Sequence, residues 1–143
     1  MGSLSIYLDT SVVVPIFLQD IFVSRANAFL ATGPASLMVS DLVAVEFASV
    51  VGIRVRIGVL SRVEAVAAFA TFDDWISRRT RRAQMTPDDI RAAGLMLRRL
   101  DFNLRAPDAI NIVIAQRIGA ELATFDVRMA DCARALGVAV PAI

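Results

Sequence analysis

Apolar runs of three or four residues, each closed by a hydroxyl or a carboxylate and followed by helix-periodic sequence, limit what this chain can fold into. Ser5 to Leu8 is one such run, and Asp9-Thr10-Ser11 behind it offers a cap for a helix whose first turns hold Pro15. Leu37-Met38-Val39 is another, with Ser40 or Asp41 capping a long helix that reaches about Ile57 and stops at Gly58. Glu121 to Thr124 reads as a strand before a helix from Arg128 to Leu136, closed by Gly137, and Val138 to Val140 as a last strand. Runs this short suit buried strands, not helices. Between them, Asp20 caps a stretch with Phe22, Ala26, Phe29 and Leu30 at helical spacing, ended by Gly33-Pro34. Ser61-Arg62-Val63-Glu64 has the form of a capping box opening a helix to roughly Ser77. Thr86-Pro87-Asp88-Asp89 starts another, with Ile90, Ala93, Leu97 and Leu100 marking its buried face, and Pro107 opens the next, which ends at Gly119. Strands alternating with amphipathic helices predict a three-layer α/β/α domain with a mainly parallel central sheet. A length of 143 residues predicts a single domain over 1–143.

Four carboxylates stand at the ends of apolar runs or inside them. Asp9 closes Ile6-Tyr7-Leu8, Glu46 interrupts Leu42-Val43-Ala44-Val45 and Phe47-Ala48, Asp108 precedes Ala109 to Ala115, and Asp126 follows Leu122 to Phe125. Burying a charged carboxylate costs several kcal/mol unless something positive or hydrogen-bonding compensates it. Four such positions suggest a cation that gathers them. Singly, Asp9 can be a helix cap, Asp108 a complement to a helix dipole and Asp126 a turn residue. Glu46 is harder to explain that way. Leu42, Val43, Ser49 and Val50 flank it on its helix face, and no basic residue lies within a turn. In parallel sheets ligands bind beyond the carboxyl ends of the strands, which puts Asp9 and Asp126 on one edge. Thr10, Ser11 and Thr124 are caps or supports for a bound water. Asn111, at i+3 from Asp108, can donate to a ligand carboxylate or a phosphate. Asp131 is a reserve candidate, while Asp73-Asp74, Asp88-Asp89 and Asp101 read as solvated.

The residues that are missing narrow the chemistry. The chain has no His and no Lys, so all 15 basic residues are Arg. This removes Ser-His-Asp and Cys-His catalysis, His-containing zinc sites, Schiff-base chemistry and the lysine of a phosphate-binding loop. Cys132 is the only cysteine, which excludes an intrachain disulfide and fits a reducing, cytoplasmic compartment. Oxygen ligands remain, and they favour Mg²⁺ or Mn²⁺. A net charge of +1 argues against a broadly basic nucleic-acid binder, although Arg78-Arg79-Thr80-Arg81-Arg82 and Arg98-Arg99 can form local positive patches.

With 57% apolar residues and a mean hydropathy of +0.62, a membrane span has to be considered. The longest charge-free run, Ala26 to Ser40, is broken by Gly33-Pro34 and falls short of the ~20 residues a span needs. The N-terminal sequence has no basic segment and soon meets Asp9, which argues against a signal peptide. The expectation is a soluble protein whose surplus apolar surface meets another chain, with the helices from Asp20 to Leu30, Leu42 to Ile57 and Ser61 to Ser77 as its sources.

The ordered set of motifs resembles the PIN domains. Tyr7-Leu8-Asp9-Thr10-Ser11, Ser40 followed by Glu46, Pro107-Asp108-Ala109-Ile110, and Thr124-Phe125-Asp126 followed by Leu136-Gly137 match the family's pattern in order and interval across essentially the whole chain. The resemblance is strongest to VapC-type toxins of bacterial toxin–antitoxin pairs. It implies a Mg²⁺- or Mn²⁺-dependent endoribonuclease, dimeric, held in check by a cognate antitoxin and acting on structured RNA of the tRNA or rRNA class. By position, it makes Asp9, Glu46, Asp108 and Asp126 the metal-site acids, with Thr10, Ser11 and Thr124 as supporting hydroxyls. Asn111 departs from many relatives, which carry His there. The alternatives are a catalytically silent PIN-like binding module and a nuclease acting on DNA. Aspartyl-phosphate phosphatases and receiver domains rank below both, because they rely on a lysine this chain lacks.

Overall fold

Tyr7 and Leu8 are both fully buried although they point to opposite faces of one strand, which requires cover on both sides of the sheet. A computed structural model describes residues 4–34 and 36–143. In chain order the elements are β1 Ser5–Leu8, α1 Thr10–Phe17, α2 Val23–Ala31, β2 Ser36–Ser40, α3 Asp41–Arg56, α4 Arg62–Arg79, β3 Thr80–Ala83, α5 Pro87–Arg98, α6 Ala106–Ile118, β4 Glu121–Ala123 and α7 Val127–Ala135. The strands lie in the order β3-β2-β1-β4, and all their pairings are parallel. Tyr7 stands beside Met38 on one side and Leu122 on the other. Helices cover both faces, giving the three-layer α/β/α fold with a parallel sheet.

The starts of α3, α4 and α5 follow the capping chemistry of the sequence. Helix α2 instead begins at Val23 with Phe22 in the cap position, and Asp20, expected to cap it, accepts the Phe22 amide just before it. Ser61 and Glu64 close a capping box at α4, and Thr86 and Asp89 close another at α5, where Pro87 takes the first helical position. Ser40 Oγ accepts the Val43 amide at the start of α3. Gly119 and Gly137 follow α6 and α7 with φ of 66° and 82°, the left-handed conformation that needs no Cβ. Val43, Phe47 and Val51 form the buried stripe of α3, and Phe47 stacks on Phe72 at 4.4 Å while Phe17 meets both edge-on.

Four further local expectations are corrected. Thr80–Ala83 forms a strand that the arginine-rich sequence conceals. It pairs only with β2, and its exposed Arg81 and Arg82 charge the free edge of the sheet. Val138 to Val140 does not form one. The Val138 amide closes α7 on Ala133, Pro141 has no N–H, and a single bond from the Leu122 amide to the Ala139 carbonyl remains. The buried face of α5 is Asp89, Ala93 and Met96, so Ile90 and Leu100 are exposed. Asp89, read as solvated, is 1% exposed. Arg117 of α6 grips it through Nε at 2.7 Å and Nη2 at 3.0 Å, and also donates to the Gln84 carbonyl. Burial pushes the Asp89 carboxyl up, but the Arg117 and Thr86 donors outweigh this and hold it below the usual carboxylate range.

Apolar exposure concentrates on α3, α4 and the turn between them, at Val45, Ile53, Ile57, Val59, Val63 and Val66. An open groove of about 500 Å³ runs between the two helices, lined by Val51, Val55, Ala65, Val66 and Phe69. Among the described residues, no helix is long and apolar enough to cross a membrane.

Candidate active site

Because the strands are parallel, their carboxyl ends share one edge, and the candidate residues enter there from five elements. Asp9 follows β1, Thr124 follows β4, Ser40 ends β2, and α3 and α6 carry Glu46 and Asn111. The Asp9 amide donates to the Ala123 carbonyl at 3.2 Å, which ties the end of β1 to the end of β4.

Asp9 is 5% exposed, and both its oxygens accept hydroxyl protons. Ser11 Oγ donates to Oδ1 at 2.6 Å and Thr124 Oγ1 to Oδ2 at 2.8 Å. Each hydroxyl has one proton, so the 3.3 Å approach of Ser11 to Thr124 is a contact between two acceptors whose protons both point at Asp9. Backbone amides fix those two oxygens in turn: Phe125 N donates to Ser11 Oγ and Asp126 N to Thr124 Oγ1. Burial pushes the Asp9 carboxyl up to about 6 despite these donors, and the charge of Glu46 adds to the rise.

Glu46 is half-buried, and Oε1 accepts from Thr10 Oγ1 at 2.8 Å and from Asn111 Nδ2 at 3.3 Å. Asn111 is itself 3% exposed and accepts the hydroxyl proton of Tyr7 through Oδ1. Asp108 and Asp126 are engaged differently. Asp108 Oδ2 accepts the Arg105 amide at the start of α6, and Asp126 Oδ1 accepts the Met129 amide at the start of α7. Neither is hydrogen-bonded to Asp9 or Glu46, and among the described residues no three Asp or Glu side chains stand close enough together to hold one ion as placed. Asp131 is exposed and pairs with Arg134, so it is not part of the edge.

The ion pairs divide the acids into two sets. Arginines neutralise Asp20, Asp41, Asp74, Asp88, Asp89, Asp101 and Asp131. Among the described residues none reaches Asp9, Glu46, Asp108 or Asp126. Glu64, Asp73 and Glu121 are also without an arginine, but Glu64 closes a cap and Asp73 is exposed to water. Among the described residues, the charge of these four carboxylates is met only by neutral hydroxyl, amide and backbone donors. The groups there that could ligate an ion are carboxylate and hydroxyl oxygens, which suit a hard divalent cation. The expected arginine patch lies elsewhere: Arg78, Arg79 and Arg81 line a pocket of about 290 Å³ with Gly33 and Ser36, at the opposite ends of β2 and β3.

Tyr7 is the residue that sequence reading passed over as strand filler. A buried tyrosine in an otherwise aliphatic strand is a signal, because its hydroxyl must find a partner.

The PIN domain family model matches residues 6–135. Ribonuclease VapC46 of Mycobacterium tuberculosis is 38% identical over 88 residues, which is 57% of this chain and 68% of that protein. Among solved structures, the fold is similar to that of VapC20 from Mycobacterium tuberculosis, described as a sarcin-ricin loop cleaving toxin. The TM-score is 0.73 at 24% identity, covering 89% of this chain and 94% of the other. It is also similar to VapBC2 from Rickettsia felis bound to a DNA fragment from their promoter, with a TM-score of 0.68 at 15% identity over 96% of this chain and 98% of that one.

Proposed function

The chain belongs to the PIN domain family, and from that premise we propose that it is a divalent-metal-dependent endoribonuclease, the toxin of a toxin–antitoxin pair, acting on structured RNA of the tRNA or rRNA class. The observation that carries the reading is the acidic edge. Among the described residues Asp9, Glu46, Asp108 and Asp126 have no arginine partner, in a chain whose other Asp side chains, Asp73 apart, are paired with Arg. Asp9, Glu46, Asp108 and Asp126 would hold Mg²⁺ or Mn²⁺, with Thr10, Ser11, Asn111 and Thr124 supporting them. When bound, such a cation neutralises charge on a scissile phosphate and lowers the pKa of an attacking water.

The protein's own groups supply the rest. Ser11 and Thr124 hold both oxygens of Asp9 in place, and Thr10 and Asn111 hold Oε1 of Glu46. With no His or Lys in the chain, removal of the proton from water falls to a carboxylate of this set. Arg105 and Arg128, exposed beside Asp108 and Asp126 and in no ion pair among the described residues, would position the RNA backbone. The likeness to VapBC2 supports an antitoxin partner. A homodimer through the apolar face of α3 and α4, a single domain over 1–143 and a cytoplasmic location belong to the same reading.

The test is cleavage of structured RNA by the purified chain. Cleavage should need Mg²⁺ or Mn²⁺ and stop in EDTA. Asp9→Asn and Asp108→Asn should reduce it to background, while Asp88→Asn, an exposed pair partner of Arg91, should leave it unchanged. Cleavage that persists in EDTA, or an Asp88→Asn variant as damaged as Asp9→Asn, overturns the assignment. Preference for DNA over RNA moves it to a DNA nuclease.

A further inference from the structure

A line of buried hydrogen bonds runs from the start of α3 through the sheet to the acidic edge, and its direction is fixed. Tyr7 is fully buried, Ser40 is 2% exposed and Asn111 is 3% exposed, so each polar atom in the line has to find its partner inside the protein. Tyr7 has one hydroxyl proton and gives it to Asn111 Oδ1, which can only accept. The 2.6 Å bond between Ser40 and Tyr7 therefore has Ser40 donating. Ser40 Oγ in turn accepts the Val43 amide at 3.2 Å. At the far end, Asn111 Nδ2 donates to Glu46 Oε1.

Turning the Asn111 amide over is excluded by chemistry. Its carbonyl oxygen would then face the Glu46 carboxylate, acceptor against acceptor. Tyr7 would have to give its proton to Ser40, whose own proton would lose its acceptor. Every bond thus points the same way: Val43 amide to Ser40, Ser40 to Tyr7, Tyr7 to Asn111, Asn111 to Glu46. Both donors to Glu46, Thr10 and Asn111, land on Oε1. Among the described residues Oε2 receives none.

We propose that Tyr7 and Asn111 are positioning residues that act as one unit, holding the Glu46 carboxylate with Oε1 occupied and Oε2 presented to a divalent cation. Neither touches the cation or the RNA; they act through Glu46. The inference rests on the metal reading of the acidic edge and names the residues that orient it.

The experiment is Mn²⁺ titration of the purified chain, followed by calorimetry, without RNA. Tyr7→Phe removes only the hydroxyl, and Asn111→Ala removes the donor to Glu46. Each should weaken Mn²⁺ binding roughly tenfold, as loss of a partner that orients a ligand does. The double variant should bind no more weakly than Asn111→Ala alone, because the two act in series. Ile114→Val, a core change on the same helix, should lower the melting temperature and leave Mn²⁺ affinity unaltered. If Tyr7→Phe does not fold, Asn111→Ala against Ile114→Val decides the matter. Mn²⁺ binding by the unaltered chain that is unchanged in the variants, or single effects that add in the double variant, overturns the positioning unit while leaving the metal reading intact. No Mn²⁺ binding by the unaltered chain overturns the metal reading itself.

Discussion

Asp9 sits where its charge is unwelcome in the absence of a cation. Its carboxyl rises from the ordinary 3.8 to about 6 in the folded protein, chiefly through burial. A folded pKa above the unfolded one favours the native state when the group is protonated. The contribution is complete below about pH 4 and is lost as pH rises through 6. In EDTA, then, this group makes the protein less stable at pH 7 than at pH 5 by about 1 kcal/mol, less than half of the roughly 3 kcal/mol lost in all from low pH. Asp9→Asn should flatten that dependence and raise the metal-free melting temperature at pH 7. Saturating Mg²⁺ or Mn²⁺ should restore stability to the unaltered chain and do little for the variant, by about 2.7 kcal/mol at a hundredfold excess over Kd. Thermal melts over this pH range, with and without cation, check both. A flat profile for the unaltered chain in EDTA would mean that the Asp9 charge is compensated by something other than a cation.

At the scale of elements, the buried pair of Asp89 and Arg117 fastens α5 to α6 and, through Gln84, to the end of β3. Asp89→Asn removes the charge that Arg117 was folded against, and should cost about 2 kcal/mol, less than a fully buried pair because Arg117 reaches water. Asp88→Asn, one residue earlier, should cost nearly nothing. Urea denaturation of the two variants measures the difference. The same neighbours show where sequence reading stops. Asp88 and Asp89 look alike in a cap, and only the partner 28 residues downstream tells them apart. Caps, glycine stops and the buried central strand were legible because their causes are local. The edge strand Thr80–Ala83 was not, since its arginines reflect an exposed sheet margin instead of a buried face. At the candidate site the residue types were legible one by one, but not who holds whom. That Thr10 serves Glu46 while Ser11 serves Asp9 depends on which way two adjacent side chains leave α1.

For the whole molecule, the exposed apolar side chains of α3 and α4 are the surface most in need of cover. Val66 lines the groove between those helices and is 68% exposed, so Val66→Arg should leave the fold intact while disrupting association through this face. Light scattering on the isolated chain and co-purification with a co-expressed antitoxin measure the two associations. A unaltered chain that is monomeric and binds nothing would leave this face without a role. The sheet order has a further consequence, for synthesis. Asp9 follows β1 directly, yet its second hydroxyl donor, Thr124, stands 115 residues later, just past the strand that flanks β1 opposite β2. A nascent chain can form α1, β2 and α3 and still leave Asp9 without Thr124. Loops closed over that distance form slowly and late. The acidic edge is therefore finished only after β4 has been made, and a ribosome that stalls before β4 leaves Asp9 without its second donor.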